Sequence, residues 1–433
     1  MITELGIILC VTFAVRTAFA AVGLTRSMRS LPRTPPPIPT AAAAPRVLLV
    51  VPALRETTII GATLEHLAAL DYPIERLVIV VAAARECVRP GETTTAQAAR
   101  AWAACHGGGR VLVAEFPGDR TERAVQINYA VDHALAGPAA DAEILGFYDV
   151  DSRPHPATLH WVAWHHVRGI RCQQQVLHYL DAANDLAARN APPLCVANAV
   201  YQGSWSLTKE WPNLLRYRHQ WSTVGGPYRR SLYLNGHGQF LSRALFEEIG
   251  GAPVEVVTDG IQLGYRLSLL GEPIASIPLF CSDDVPATVS GLHQQHRRWF
   301  AGNIRFADAC DWARAHGRAV PATAVVDNLL LNASWLLRLP LTVVAGLIVC
   351  LVADGPLRAA MVGSLLASVA VYGYVLPILA TRVPGVALRL RLRDWLLLPV
   401  AAGFKSVGPL LFLVQTSRIG RGAAERTLQK VER

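Results

Sequence analysis

The chain predicts an α/β domain on a mostly parallel sheet, held between apolar, membrane-type segments at its two ends. Three observations predict it. Short apolar runs of buried-strand type alternate with segments of helical spacing from residue 46 to about residue 310. Apolar stretches of about 20 residues, enough to cross a bilayer, stand before and after that region. Hydrophobic residues make up 52% of the 433 and charged residues 17%, too apolar a balance for an ordinary soluble protein of this size.

The elements follow in order. Leu5 to Leu24 is apolar apart from Arg16. Ala18-Phe19-Ala20 has the form of a signal-peptidase site, but Glu4 and no basic residue precede the apolar run, so residues 1–25 read as a retained anchor. Arg26, Arg29, Arg33 and Arg46 follow, and the positive-inside rule then places the N-terminus outside and the next domain in the cytoplasm. Residues 26–45 form a Pro-rich, stiff linker. In the domain at 46–310, Arg46 to Val51 is a strand ended by Pro52, and Thr57 to Leu70 is a helix with Ile60, Leu64, Leu67 and Leu70 on one face. Further strands are expected at Leu77 to Val81, Arg110 to Ala114 and Glu143 to Tyr148, with Gly107-Gly108-Gly109 as a turn before the third. A βαβ series of this kind puts its ligand site at the carboxyl ends of the strands. Asp149 and Asp151 fall at such an end.

Residues 311–417 return to membrane character. Val325 to Val352 fits one tilted span, or an interfacial helix broken at Pro340 and followed by a short span. Leu357 to Ala380 is a cleaner span and leads to Arg382, Arg389, Arg391 and Arg393, a basic loop suited to the cytoplasmic side. Trp395 to Val414 carries Lys405 at its centre. An ammonium at mid-bilayer costs about 2.5–3.5 kcal/mol on insertion scales, which favours an interfacial or re-entrant path over a true span. Residues 418–433 are then a basic cytoplasmic tail. The expected setting is the plasma membrane, with several passes and the α/β domain in the cytoplasm. The formal charge of +9 lies mostly beside apolar segments, where it orients the chain and meets anionic lipid, so the bilayer and not nucleic acid is the expected partner. The eight cysteines form no C-x-x-C pair and read as reduced thiols, with no zinc site.

Two carboxylates spaced i, i+2 just past a strand suit a hard divalent cation, and a diphosphate-bearing donor needs such a charge on binding and on departure. An acidic turn or helix cap is the bland alternative. The position of Asp149-Val150-Asp151 directly after Ile144 to Tyr148 favours the metal. Arg298 offers a permanent, forked cation for phosphate oxygens, Trp299 an aromatic face for a sugar ring, and Gln295 both a donor and an acceptor; a helix resting on a membrane would carry Arg and Trp as well.

With these residues the chain resembles the family 2 glycosyltransferases, membrane-anchored enzymes that include the hyaluronan, chitin and cellulose synthases. Pro52 and Glu56 stand at its nucleotide-side P-x-x-x-E. Arg123-Ala-Val-Gln-Ile-Asn128 resembles its K-A-x-A-L-N segment, and Asp149-Val150-Asp151 its metal-binding D-x-D. Asn235-Gly236-His237-Gly238, with Phe240 and Arg243, is similar to its acceptor-side glycine loop. Thr258-Asp259-Gly260 occupies the T-E-D position, and Gln295, Arg298, Trp299 and Gly302 match Q-x-x-R-W-x-x-G. Leu428 to Arg433 resembles its W-x-K-T-x-R tail.

The resemblance implies a GT-A, Rossmann-like catalytic domain. It further implies Mg²⁺ or Mn²⁺ on Asp149 and Asp151, and donor or pyrophosphate contacts from Pro52, Glu56, Arg123, Asp149, Gln295 and Arg298. Acceptor contacts would come from Trp299, Gly236 and His237, and Asp259 would be the catalytic base of an inverting transfer to a polysaccharide or a lipid-linked sugar. A polymer channel with so few spans would need a homo-oligomer or remain narrow.

Two departures stand out. Ala83 and Ala84 follow the second strand where the family has an aspartate for the nucleoside; Glu86 or Thr93 to Thr95 are the available substitutes. Gly260 stands on the usual base, leaving Asp259 as the one carboxylate in the motif. These departures also allow a silent relative that binds nucleotide or glycan as a partner subunit. For a third metal ligand His155, His165 and His166 are weighed against an exposed helix face, with His293 or His296 as the late-histidine option. Tyr201, Trp205, Trp211, Tyr217, Trp221 and Tyr228 fit an acceptor groove and a bilayer-packed helix equally.

Overall fold

All seven residues of β1 (Val47–Ala53) and all seven of β2 (Leu77–Ala83) are buried, as a strand covered on both faces requires. A computed structural model describes the chain except at residues 1, 32, 38, 39, 90, 107, 225–230, 352–354, 383–386, 427 and 429–433. β1 and β2 run parallel, Val47 opposite Leu77 and Ala53 opposite Ala83. β3 (Val111–Glu115) lies parallel beyond β2 and β4 (Ile144–Phe147) parallel on the other side of β1. Successive β1 residues feed opposite faces: Val47, Leu49 and Val51 enter one apolar core, Leu48 and Val50 the other.

Beyond β4 the sheet turns mixed. Its eight strands run β3-β2-β1-β4-β7-β6-β8-β5. β7 (Gln239–Ser242) is antiparallel to both β4 and β6 (Cys172–His178), β6 is parallel to β8 (Ile274–Ser282), and the two-residue β5 (Arg153–Pro154) closes the edge against β8. Fully buried β6 was invisible to hydropathy because three of its residues are glutamines. Each finds partners: Gln173 donates to the Val162 carbonyl, Gln174 to the His237 carbonyl, and Gln175 to Thr158 while accepting from Tyr148.

The expected N-terminal span lies in one helix of 29 residues, Ile2–Ser30. Two helices among the described residues are long and apolar enough to cross a membrane, Pro356–Ala380 and Leu398–Ile419; the pair Ala322–Leu336 and Arg338–Val349, bent by 61°, makes a third if it counts as one span. The bend falls at Leu337 because Pro340 has no N–H to give and is tolerated in the first turn of a new helix. Most of the stretch Trp395 to Val414, expected to be interfacial or re-entrant, lies in the helix at Leu398–Ile419. Lys405, whose cost in lipid carried that expectation, is 3% exposed and sits over the Trp205 ring, 4.4 Å from its centroid. Tyr201, Trp205, Trp211 and Tyr217 are likewise buried inside the protein; the side chain of Trp221 and all of Tyr228 lie outside the described residues, as does the tail motif past Leu428.

Candidate active site

The carboxyl ends of β1, β2 and β4 open into a cleft of about 1850 Å³. Pro52 and Glu56 reach it from the end of β1, Arg123 from the start of the Arg123–Leu135 helix, and Asp149 and Asp151 from the turn after β4. Gly236 and His237 come from the loop before β7, Asp259 from the start of the Asp259–Leu270 helix, and Gln295, Arg298 and Trp299 from the Val289–Asn303 helix. The structure thus gathers these eleven residues in one place, from six separate segments of the chain.

Arg123 is the hub. Its Nε donates to Asp149 Oδ1 at 3.1 Å, its Nη1 to Asp259 Oδ2, and its Nη2 to the Gly236 carbonyl. The D-x-D turn, the T-D-G motif and the glycine loop are therefore held by one guanidinium, whose fork matches several acceptors at once.

His237, expected on the acceptor side, lies between two carboxylates. Its Nδ1 lies 3.3 Å from Asp149 Oδ2 and its Nε2 3.3 Å from Asp283 Oδ2. The backbone explains the position: Gly238 adopts φ +64°, a left-handed turn open to glycine, and its N–H donates to the Phe147 carbonyl at 2.8 Å, pinning the loop beside the D-x-D. Burial opposes a charge on His237, but the carboxylates of Asp283, Asp149 and Asp151 overcome it and raise the imidazolium to about 9. Burial pushes the Asp283 carboxyl up to about 7; His237 opposes that rise, while Asp151 and Asp149 add to it.

Asp283, which none of the sequence motifs includes, is a further residue of the site. It accepts from Ser152 Oγ at 2.7 Å, and the next N–H, of Asp284, donates to Asp151 Oδ2 at 3.2 Å. The signal was present. Like Asp149, it stands just past the end of a strand. The other histidines weighed as metal ligands do not line the cleft. His165 bonds Gln173, His155 accepts from the Ala157 N–H, His166 lies 3.6 Å from Glu143, and His293 and His296 pack against Phe404.

Close approaches explain the motif glycines. A Cβ on Gly260 would lie 2.4 Å from Gly236 Cα, so an aspartate there cannot coexist with this loop. A Cβ on Gly302 would lie 1.6 Å from Thr258 Oγ1, so the last glycine of Q-x-x-R-W-x-x-G lets its helix touch the T-D-G segment. Gln262 completes that joint by donating to the Gly302 and Arg305 carbonyls. Glu86, considered as a nucleoside contact, lines the cleft and accepts from the N–H groups of Arg55 at 2.6 Å and Thr95 at 2.9 Å, tying two loops at its edge. Arg243 pairs with Glu247 and the Ala140 carbonyl, outside the cleft.

The donor set of Asp149, Asp151 and Asp283 with His237 fits a hard divalent cation by chemistry, since burial and mutual repulsion leave these carboxylates in need of positive charge. As they stand, no three ligand-type side chains among the described residues converge tightly enough to hold an ion. Arg123 and the protonated His237 occupy that role. Asp149 and Asp151 would hold such a cation, with His237 and Asp283 beside them.

The sheet and the cleft define a GT-A type α/β enzyme domain. Residues 45–302 match the profile of the glycosyltransferase like family 2, and the chain belongs to that family. Among solved structures it is similar to the mannosyltransferase PcManGT from Pyrobaculum calidifontis in complex with GDP-Man and Mn²⁺, at 19% identity and a TM-score of 0.56, covering 93% of this chain and 99% of that one. It is also similar to TarS 1-349 of S. aureus in complex with UDP-GlcNAc, at 13% identity and a TM-score of 0.41, over 87% and 92% of the two chains. A third is glucosyl-3-phosphoglycerate synthase from Mycobacterium tuberculosis in complex with Mn²⁺, uridine diphosphate and phosphoglyceric acid, at 18% and 0.36, over 63% and 84%. No curated protein matches the chain. The protein is a glycosyltransferase of family 2, which moves a sugar from a nucleotide-sugar donor.

Proposed function

We propose that the protein is a membrane-bound, metal-dependent, inverting glycosyltransferase acting on a polysaccharide or lipid-linked acceptor, with its catalytic domain in the cytoplasm. The observation that carries this reading is the convergence of Asp149, Asp151, Asp259 and the Gln295, Arg298, Trp299 set on one cleft at the carboxyl end of the sheet. Mg²⁺ or Mn²⁺, held by Asp149 and Asp151 with His237 and Asp283 beside them, would neutralise the donor diphosphate. Arg123 and Arg298 are the cations placed to meet the departing diphosphate. Asp259 is the carboxylate placed to accept the proton of the attacking acceptor hydroxyl; no other carboxylate of the T-D-G motif is available, because Gly260 has no room to carry one. Trp299 presents its ring to the acceptor sugar. Pro52 and Glu56 stand at the nucleotide end.

Turnover tests it. Purified full chain in detergent is given a panel of nucleotide sugars with Mn²⁺, and nucleotide release is measured for the wild type, Asp151→Asn and Asp259→Asn. At least one donor should be consumed, and each substitution should lower the rate by about 100-fold or more, the usual weight of a general base. Equal release by all three proteins, or none with any donor, would overturn the assignment and favour a silent, ligand-binding relative.

A further inference from the structure

The cleft does not end at the transfer centre. It continues past Asn235 and Tyr233 to a far wall of Trp205, Glu210, Leu331, Trp335 and Lys405. There the Pro193–Trp205 helix meets two apolar segments at their breaks. Lys405 interrupts Leu398–Ile419, and Arg338 opens the second arm of the bent pair. Both cations are buried, and both lie over the Trp205 indole, Lys405 Nζ at 4.4 Å and Arg338 Cζ at 5.3 Å from the ring centroid.

Among the described residues the charge at this end does not balance. Arg338 Nη1 donates to the Tyr201 hydroxyl, while its Nε is buried with no hydrogen-bond partner. Arg16 and Lys209 add to the cluster: burial, then the charges of Arg338, Arg16 and Arg216, hold the Lys209 ammonium down to about 8. The carboxylate acting on Lys405 is Glu210, which already accepts from the Ser206 and Tyr233 hydroxyls. Buried positive charge in excess is costly unless an anion completes it. Ring faces hold the cations in place without neutralising them.

We propose that this end of the cleft anchors the acceptor by a phosphate group, with Lys405 meeting the phosphate and the apolar helices beside it receiving the acceptor's lipid chain. Arg338, behind Trp205, is a positioning residue. The location argues for a lipid source: both cations sit at breaks in membrane-type helices, and Leu329 and Leu330 are 62% and 63% exposed on the adjoining helix. The inference rests on the glycosyl-transfer reading and names the acceptor class for that same cleft.

The full chain in phosphatidylcholine nanodiscs, without donor, is titrated with a long-chain alkyl phosphate, the matching alcohol and inorganic phosphate, with tryptophan fluorescence as the signal. The alkyl phosphate should bind at least tenfold tighter than the alcohol; Lys405→Gln should abolish that preference and Lys405→Arg should keep it. A photoreactive alkyl phosphate should crosslink the wild type to peptides holding Trp205 or Lys405, a readout that needs no variant to fold. Equal binding of phosphate and alcohol, or crosslinks confined to other peptides, overturns the site. Inorganic phosphate binding as tightly as the alkyl phosphate overturns the lipid source. Because no donor is present, failure of turnover leaves these measurements intact, and their failure leaves the transfer reading standing.

Discussion

Arg123 joins three motifs that lie far apart in the chain, and its hold on Asp149 and Asp259 sets what each can do. A cation entering at Asp149 and Asp151 also replaces the counter-charge that His237 supplies. The His237 imidazolium, raised to about 9 by Asp283, Asp149 and Asp151, competes with a cation for the same carboxylates. Mn²⁺ affinity should therefore strengthen as pH rises towards 9, and calorimetry in buffers of different ionisation enthalpy should show about one proton released; an enthalpy independent of buffer would refute the coupling. At Gly260 even alanine is too large. Its Cβ would strike Gly236 Cα at 2.4 Å, so Gly260→Ala should destabilise the domain by about 1–3 kcal/mol, seen as a lowered melting temperature, and Gly260→Asp should fail to restore the family's usual base.

At the scale of elements, the Pro193–Trp205 helix and the π-helical turn Ser206–Glu210 that continues it carry the cationic wall between the catalytic domain and the apolar helices. Lys209 is strained there by burial and by like charges. Its folded value of about 8 lies below the ordinary 10.5, so between those values the unfolded chain holds the extra proton and stability rises with pH. Below about 8 the lysine is charged in both states and its penalty is felt in full. Lys209→Met should accordingly raise the melting temperature at pH 7, and its advantage should shrink as pH climbs from 8 to 10.5. A constant difference across that range would mean that the gain comes from apolar packing alone.

For the molecule as a whole, orientation is the open variable that chemistry can reach. Cys87 and Cys105 are exposed on the α/β domain, whereas Cys172, Cys195, Cys281 and Cys310 are buried. With that domain in the cytoplasm, an impermeant maleimide should label Cys87 and Cys105 only after the cells are opened; labelling of intact cells would reverse the orientation. The tail belongs to the fold as well: the Arg421–Arg426 helix brings Glu425 within 3.2 Å of Arg305, and Leu428 lines the cleft, so it is more than a basic extension.

The sequence by itself determined the first half of the sheet, the membrane-type segments and the membership of the cleft. Those depend on local signals: unbroken Val, Leu and Ile runs for β1 and β2, apolar length for Pro356–Ala380, and motif residues placed at strand ends or on one helix. It did not show β6, whose glutamines become buried only because Val162, His237, Thr158 and Tyr148 answer them across the fold. Nor did it show Asp283 beside His237, or Lys405 turned from lipid onto Trp205. Those pairings join residues from about 45 to 200 positions apart, and the energy of a buried charge or amide is set by what lies beside it after folding, which no local pattern encodes.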